Sequence, residues 1–316
     1  MSTKKIISII IPCFNEQEYL SITVDRVVKS IKDFDYIFEL IIVDDGSIDN
    51  TTNEIIKLTQ NSNYFSFIIK GIILSKNFGH QKALEAGINY ASGDAVISID
   101  ADLEQPPELL PELITFWEKG YDIVYTIREN DKSLSLLKRI TSKGFYKVYN
   151  FLTGYKIEQG VADYRLLDKK VVKVFKSMPE HNKFIRGIID WVGFEKIPIK
   201  YKSISIKNRN SRYTLSKMVN LALNGIISFS PRPLYLSFLI GLVTLIFSFL
   251  YSIIILYLYF FGDTSPGQAS VLITITFFTS IIMILLGIQG LYISQLVDEV
   301  KNRPNFIVKN IIENNK

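Results

Sequence analysis

Asp100 and Asp102 are the residues of this chain best placed to do chemistry. They end the stretch Gly93-Asp-Ala-Val-Ile-Ser-Ile-Asp-Ala-Asp-Leu-Glu-Gln-Pro-Pro107, an apolar, β-branched run that reads as a buried strand, which the prolines stop. On an extended backbone, residues i and i+2 share a face, so the two carboxylates can converge on one bound object. Hard oxygen donors of this kind suit a divalent cation and the phosphates it bridges. A solvated acidic turn is the bland alternative. Three further polar clusters follow apolar runs: Asn15, Asp44-Asp-Gly-Ser47, and Lys76-Asn77.

The elements that must position these groups alternate in type. Strands are expected at Ile6–Ile11 (stopped by Pro12), Phe38–Val43, Phe67–Leu74, up to Asp100, and at Tyr121–Ile127. Helices are expected at Asn15–Lys32, from Asp49 or Asn50 to Gln60, from His80 to about Tyr90, and at Pro107–Lys119. Asn15 and Glu18 can form a capping box for the first helix. Such alternation implies an α/β fold with a mostly parallel sheet and helices on both faces. Ligands then bind beyond the carboxyl ends of the strands, where all four polar clusters fall. No Gly-x-Gly-x-x-Gly or Gly-Lys-Ser/Thr loop is present, which argues against a dinucleotide or P-loop site. His80 reads as a helix-start residue and is not needed by an oxygen-ligated metal.

The chain has 316 residues, 48% of them hydrophobic, and a net charge of +5. Mean hydropathy is +0.20, and the excess lies after Arg232. Leu234–Phe261 and Thr264–Val297 carry no charged residue, and each exceeds the roughly 20 residues that cross a bilayer. Arg232 flanks the pair on one side, Lys301 and Arg303 on the other, while the connection holds only Asp263. By the positive-inside rule both termini stay in the cytoplasm. Asp131–Leu152 and Arg212–Phe229 read as basic amphipathic helices suited to the membrane surface, or as ordinary surface helices. The expected division is a cytoplasmic catalytic domain at 1–210 (with an interfacial helix near 132–152), an interfacial helix at 211–232, two spans within 233–297 (about 234–261 and 269–293), and a cytoplasmic tail at 298–316. One cysteine, Cys13, excludes a disulfide framework. Basic residues grouped near apolar blocks suit an anionic membrane rather than nucleic acid.

Six ordered motifs resemble a known family: Ile11-Pro-Cys-Phe-Asn-Glu16, Val43-Asp-Asp-Gly-Ser47, Leu74-Ser-Lys-Asn-Phe-Gly-His80, Asp100-Ala-Asp-Leu-Glu-Gln-Pro-Pro107, Asp163-Tyr-Arg-Leu-Leu167, and Phe184-Ile-Arg-Gly187 followed by Trp191-Val-Gly-Phe194. With the two-span C-terminus, they are similar to the family-2 glycosyltransferases of the polyprenyl-phosphate type, the group of undecaprenyl-phosphate glucosyltransferases and dolichyl-phosphate mannose synthases. Two positions depart from the family's pattern. Glu104 stands where Gln is usual, and Arg209-Asn-Ser-Arg-Tyr213 replaces a Gly-x-Ser/Thr-Lys-Tyr core.

The resemblance implies a GT-A, Rossmann-like sheet and inverting transfer of a sugar, glucose first, from a nucleotide sugar such as a UDP-sugar to polyprenyl (undecaprenyl) phosphate. It implies Mg²⁺ or Mn²⁺ at Asp100, Asp102 and Glu104, and a nucleotide pocket lined by Pro12, Asn15, Glu16, Asp44, Asp45 and Lys76. Asp45 is also a natural turn former. Asp163 and Arg165 join Asp100 and Asp102 as candidate catalytic residues, with a structural ion pair as the alternative for Arg165. Arg128, Arg139, Arg186, Lys207, Arg209 and Arg212 are candidates for the acceptor phosphate. A homo-oligomer such as a tetramer, working with a flippase and a second transferase, is the implied setting. A processive polysaccharide synthase is disfavoured, because no Gln-x-x-Arg-Trp follows Trp191 and two spans make a poor polymer channel. A non-catalytic membrane scaffold with a decayed transferase domain sits badly with intact Asp44, Asp100 and Asp102.

Overall fold

The computed structural model describes residues 4–61, 64, 67–129, 152, 160–180, 183, 185–203, 230–261 and 267–314. The chain divides into two units, one made of residues 1–146, 155–213 and 303–316, the other of 147–154 and 214–302.

The first unit is built on a sheet of eight strands. These are β1 (Ile6–Cys13), β2 (Ile37–Asp44), β3 (Ile68–Leu74), β4 (Ala95–Ser98), β5 (Ile123–Arg128), β6 (Val161–Asp168), β7 (Lys196–Tyr201) and β8 (Val308–Glu313). Their spatial order is β7-β5-β6-β4-β1-β2-β3-β8. β1 pairs parallel with β2 and β4, β2 with β3, and β5 with β7, while β6 and β8 run against their neighbours. The expected mostly parallel α/β sheet is therefore present. β1 is central because its Ile-rich run is buried on both faces: Ile7, Ile9, Ile10 and Ile11 are fully enclosed. Each such side chain stabilises the fold by about 2 kcal/mol relative to exposure.

Helices α1 (Leu20–Ile31), α2 (Thr51–Gln60), α3 (His80–Tyr90) and α4 (Leu110–Glu118) follow β1 to β4 in turn. α1 buries Leu20, Val24, Val27 and Ile31, spacings of three and four that put one apolar stripe on the sheet. α3 lies close enough to β1 that a Cβ at Gly87 would come within 2.3 Å of Ile10 Cγ2, so only glycine fits there. α5 (Lys169–Ser177) and α6 (Ile185–Trp191) complete the described helices of this unit.

Three local expectations are corrected. β1 does not stop at Pro12 but continues to Cys13, with Pro12 opposite Val43. The missing N–H is harmless: Ile10 O accepts from Ile99 N at 3.0 Å, so the backbone of Pro12, two residues on, faces the same side, where the ladder with β4 has ended at Ser98. The Asn15–Glu18 capping box is absent: α1 starts at Leu20 after Tyr19, with no side-chain cap. Asn15 instead adopts φ +55° and bonds the loop after β2. Thirdly, 298–316 is no simple tail. α8 below reaches Lys301, and Val308–Glu313 is an edge strand of the sheet. Asn314 fastens it, accepting from Ile69 N at 2.8 Å and donating to Phe67 O at 2.8 Å.

The second unit contains α7 (Arg232–Phe261) and α8 (Gln268–Lys301), both long and apolar enough to cross a membrane. Tyr292, late in α8, donates to Ser230 O ahead of α7 at 2.6 Å, so the two helices run antiparallel. Phe238, Leu245, Phe247, Phe260, Met283 and Ile284 are all exposed on them. The proposed helices near 132–152 and 211–232 lie almost wholly outside the described residues.

Candidate active site

β1, β2, β3 and β4 end at one edge of the sheet, and their loops are stitched to one another. Asp44, the last residue of β2, is fully buried. Its Oδ1 accepts from Ser47 N at 2.9 Å and Ser47 Oγ at 2.5 Å, and its Oδ2 from Thr52 Oγ1 at 2.5 Å. Ser47 Oγ accepts from Asn15 N at 2.9 Å, Asn15 Oδ1 from Ile48 N at 3.0 Å, and Thr51 Oγ1 from Glu16 N at 2.9 Å. Asp45 turns the other way, accepting from Phe78 N at 2.7 Å and Gly79 N at 2.9 Å. It is thus more than a turn former, since it joins the loop after β2 to the loop after β3. Gly46 permits that approach: its φ is +68°, and a Cβ there would meet the Lys76 carbonyl carbon at 2.3 Å. Burial pushes the Asp45 carboxyl up, against the pull of the two N–H groups. Pro12 is buried beneath these loops, and Lys76 is exposed with Nζ over the Phe78 ring.

The turn after β4 presents the paired aspartates. Gln105, itself 5% exposed, holds Asp100 from both sides: its Oε1 accepts from Asp100 N at 2.9 Å, and its Nε2 donates to Asp100 Oδ2. Asp102 Oδ1 accepts from Glu104 N at 3.1 Å across Leu103, which takes φ +62°. A left-handed leucine costs energy, and the turn that demands it carries Asp102 two residues after Asp100. Glu104 directs its carboxylate to Arg128 Nη1 at 3.0 Å.

A second cluster faces Asp100 from β6. Ser98 pairs with Arg165, so Asp163 on the antiparallel β6 arrives at the same sheet edge. Asp163 is 5% exposed and accepts from Arg186 Nε at 2.9 Å, Arg186 Nη2 at 2.8 Å, Arg165 Nη2 at 3.1 Å and Gln81 Nε2 at 3.1 Å. His80 begins α3 as expected, but its Nε2 also lies 3.5 Å from Asp100 Oδ1 and 3.6 Å from Asp163 Oδ2. Partial desolvation opposes charge on His80, whose side chain stays 38% exposed, yet the carboxylates of Asp100 and Asp163 outweigh it and lift its pKa to about 9. Burial raises Asp100 to about 6, with Asp102 and Asp163 adding to the rise and His80 and Arg186 restraining it. Burial would raise Asp163 too, but Arg186, His80 and Arg165 hold it well below the usual carboxylate range.

The geometry brings together Asp100, Asp163 and Arg186, with Asp102 on the same turn as Asp100, and it gives several candidates specific partners. Arg165 is 2% exposed and supports Asp163 from behind, so the structural ion pair is the role observed. Arg186 is held by Asp163, and Arg128 by Glu104. Glu104 forms no three-membered metal cluster with Asp100 and Asp102: among the described residues no group of three His, Cys, Asp or Glu side chains is arranged for a metal. Arg139, Lys207, Arg209 and Arg212 lie outside the described residues. Gln105, Gln81, Ser47, Thr52 and the charged role of His80 were not singled out from sequence. Of these, Gln105, Ser47 and His80 lie within the quoted motifs, whereas Gln81 and Thr52 carry no such signal.

Residues 8–175 match glycosyl transferase family 2. The chain belongs to that family. Over 309 residues, 96% of this chain and 95% of the relative, it is 38% identical to an uncharacterized glycosyltransferase of Synechocystis. It is 36% identical to an uncharacterized glycosyltransferase of Bacillus subtilis, across 96% of this chain and 93% of that one. A bactoprenol glucosyl transferase of Shigella phage SfII is 37% identical, covering 96% of this chain and 97% of its own length. This family-2 protein is accordingly a glycosyltransferase.

Proposed function

We propose that this glycosyltransferase moves a sugar, glucose in the first instance, from a UDP-sugar to undecaprenyl phosphate at the cytoplasmic face of the membrane. The observation that carries the reading is the meeting of Asp100, two residues before Asp102, with the Asp163–Arg186–His80 cluster at one sheet edge. The bactoprenol glucosyl transferase at 37% identity supports the choice of acceptor and sugar. Two long apolar helices support a membrane-held enzyme. β7 precedes the pair and β8 follows it, and both strands belong to one sheet. If the pair spans, both its ends are therefore on the same side, in agreement with the charge rule.

Donor binding falls to the stitched loops, where Asp44, Asn15, Glu16, Asp45 and Lys76 would surround the nucleoside. Asp100 and Asp102 fit Mg²⁺ or Mn²⁺. They are hard oxygen donors, and burial, with the nearby Asp102 and Asp163 carboxylates adding to it, disfavours negative charge on Asp100 that a dication would offset. Asp100 and Asp102 would hold such an ion, which would neutralise the charge developing on the leaving group. The acceptor phosphate has a second pKa of about 6 and is largely ionised near neutrality, so no strong base is required. One of its oxygens attacks the anomeric carbon as the bond from that carbon to the diphosphate breaks on the opposite face. Nucleoside diphosphate leaves and the configuration inverts. Arg186, Arg128 and His80 provide positive charge beside that path, and Asp163 orients Arg186 through two bonds. The working form is a membrane homo-oligomer whose lipid-linked product serves a flippase and a second transferase.

The test is full-length protein in membranes with radiolabelled nucleotide sugars and undecaprenyl phosphate, with Asp102→Ala alongside. A metal-dependent, lipid-extractable product from UDP-glucose is expected. No such product from any common donor would overturn the reading.

A further inference from the structure

Glu85 is a buried carboxylate that the transfer chemistry does not use. It sits on α3 with 4% of its surface exposed. Asn305 donates its Nδ2 to both Glu85 oxygens at 3.0 Å, and its Oδ1 accepts from Lys82 Nζ at 2.8 Å. Lys183, its side chain 7% exposed, brings Nζ to 3.7 Å from Glu85 Oε1 and also donates to Phe175 O at 3.2 Å. An apolar residue would fill this place at lower desolvation cost, and the best-attested use of such buried charge is to fix register.

What it fixes can be read from its partners. α3 contacts Glu85's hub in its second turn and Asp163 through Gln81 in its first. The segment entering α6 contacts the hub through Lys183 and Asp163 through Arg186, three residues on. Two elements are thus each held at two points, one at the hub and one in the site. The third arm, Asn305, comes shortly after α8 ends at Lys301 and just before β8, where Ser75 N bonds Ile307 O at 2.9 Å.

We propose that Glu85 is a positioning residue that sets how His80, Gln81 and Arg186 meet Asp163, and that docking of the strand after the second long helix, through Asn305, completes this arrangement. The activity readout rests on the function proposed above, whereas hydrogen exchange tests the positioning without it. In the full chain in lipid nanodiscs, Asn305→Ala should raise exchange in residues 80–85 and 185–191. It should lower kcat about tenfold, the scale of a lost hydrogen bond to a charged group, with the donor KM nearly unchanged. Glu85→Gln should act similarly, and the double variant should be no worse than the stronger single, because both cut the same contact. Should Glu85→Gln not fold, Asn305→Ala and Lys183→Met decide the matter by the same exchange measurement. Unchanged exchange in both segments, or multiplicative effects in the double variant, would overturn the proposal. A wild-type chain that makes no product sinks the proposed function and leaves the exchange result standing.

Discussion

At the end of β2, Asp44 and Asp45 are met by neutral donors: two hydroxyls and a backbone N–H for one, two backbone N–H groups of the loop after β3 for the other. At the ends of β4 and β6, Asp100 and Asp163 are held largely by charge, from His80, Arg186 and Arg165, with Gln105 and Gln81 adding amide bonds. The neutral side is a finished latch with no need of a counter-ion. The charged side has its geometry written in ion pairs, so an arriving cation or phosphate can re-partition it. Donor recognition suits the first kind of construction and bond exchange the second.

Substitutions that strike the charged side should therefore dominate. Asp102→Ala is expected to lower kcat by about 10³-fold while leaving the thermal melt close to wild type, as measured by lipid-extracted product and circular dichroism. Activity near wild type would remove the distinction between the two sides. Asp163→Asn leaves the enclosed Arg165 without its counter-charge and should cost about 3 kcal/mol of stability. Asp45→Asn keeps one acceptor for two N–H groups and should cost about 1 kcal/mol. Denaturant melts of both variants compare the sides directly, and equal losses would contradict the contrast.

The pH response sharpens it further. The folded-state pKa of His80, about 9, lies above the ordinary histidine value of 6.5. Its stabilising contribution is thus complete below 6.5 and disappears as pH rises through about 9. Melting temperature of the metal-free protein should fall over that window, and His80→Gln should flatten the fall. An unaltered slope in that variant would show that the ion pairs of His80 do not matter. The smallest effect belongs to Glu104→Gln, since the Glu104–Arg128 pair is 39% and 53% exposed. A change in kcat/KM of within about fivefold is expected. A large loss of Mn²⁺ affinity, read by calorimetry, would instead restore Glu104 as a metal ligand.

How much of the site was legible depends on how local each piece is. Asp44-Asp45, Asp100-Asp102 and Asn15 each follow an apolar run, so strand pattern and turn chemistry locate them at a sheet edge. β6 is hard to read in the sequence because Asp163 and Arg165 interrupt its apolar pattern; both are buried there by pairing with each other. β8 does not stand out in the sequence because half of its residues are polar and they do not alternate with the apolar ones, as befits an edge strand with exposed Lys309, Asn310 and Ile311. The Pro12 expectation failed for a related reason: whether a proline ends a strand depends on which neighbour its missing N–H would have faced.

By itself the sequence determined the alternating strands and helices, the acidic turn and the two long apolar helices. These follow from residue spacing, turn preference and hydropathy within short windows. Only the tertiary structure decided that His80 and Gln81, Asp100, Asp163 and Arg165, and Arg186 form one charged cluster. It also decided that the chain after the second long helix returns to the sheet and grips Glu85. Those contacts join residues far apart in the chain, and strand order and register, which no short window contains, bring them within hydrogen-bond reach.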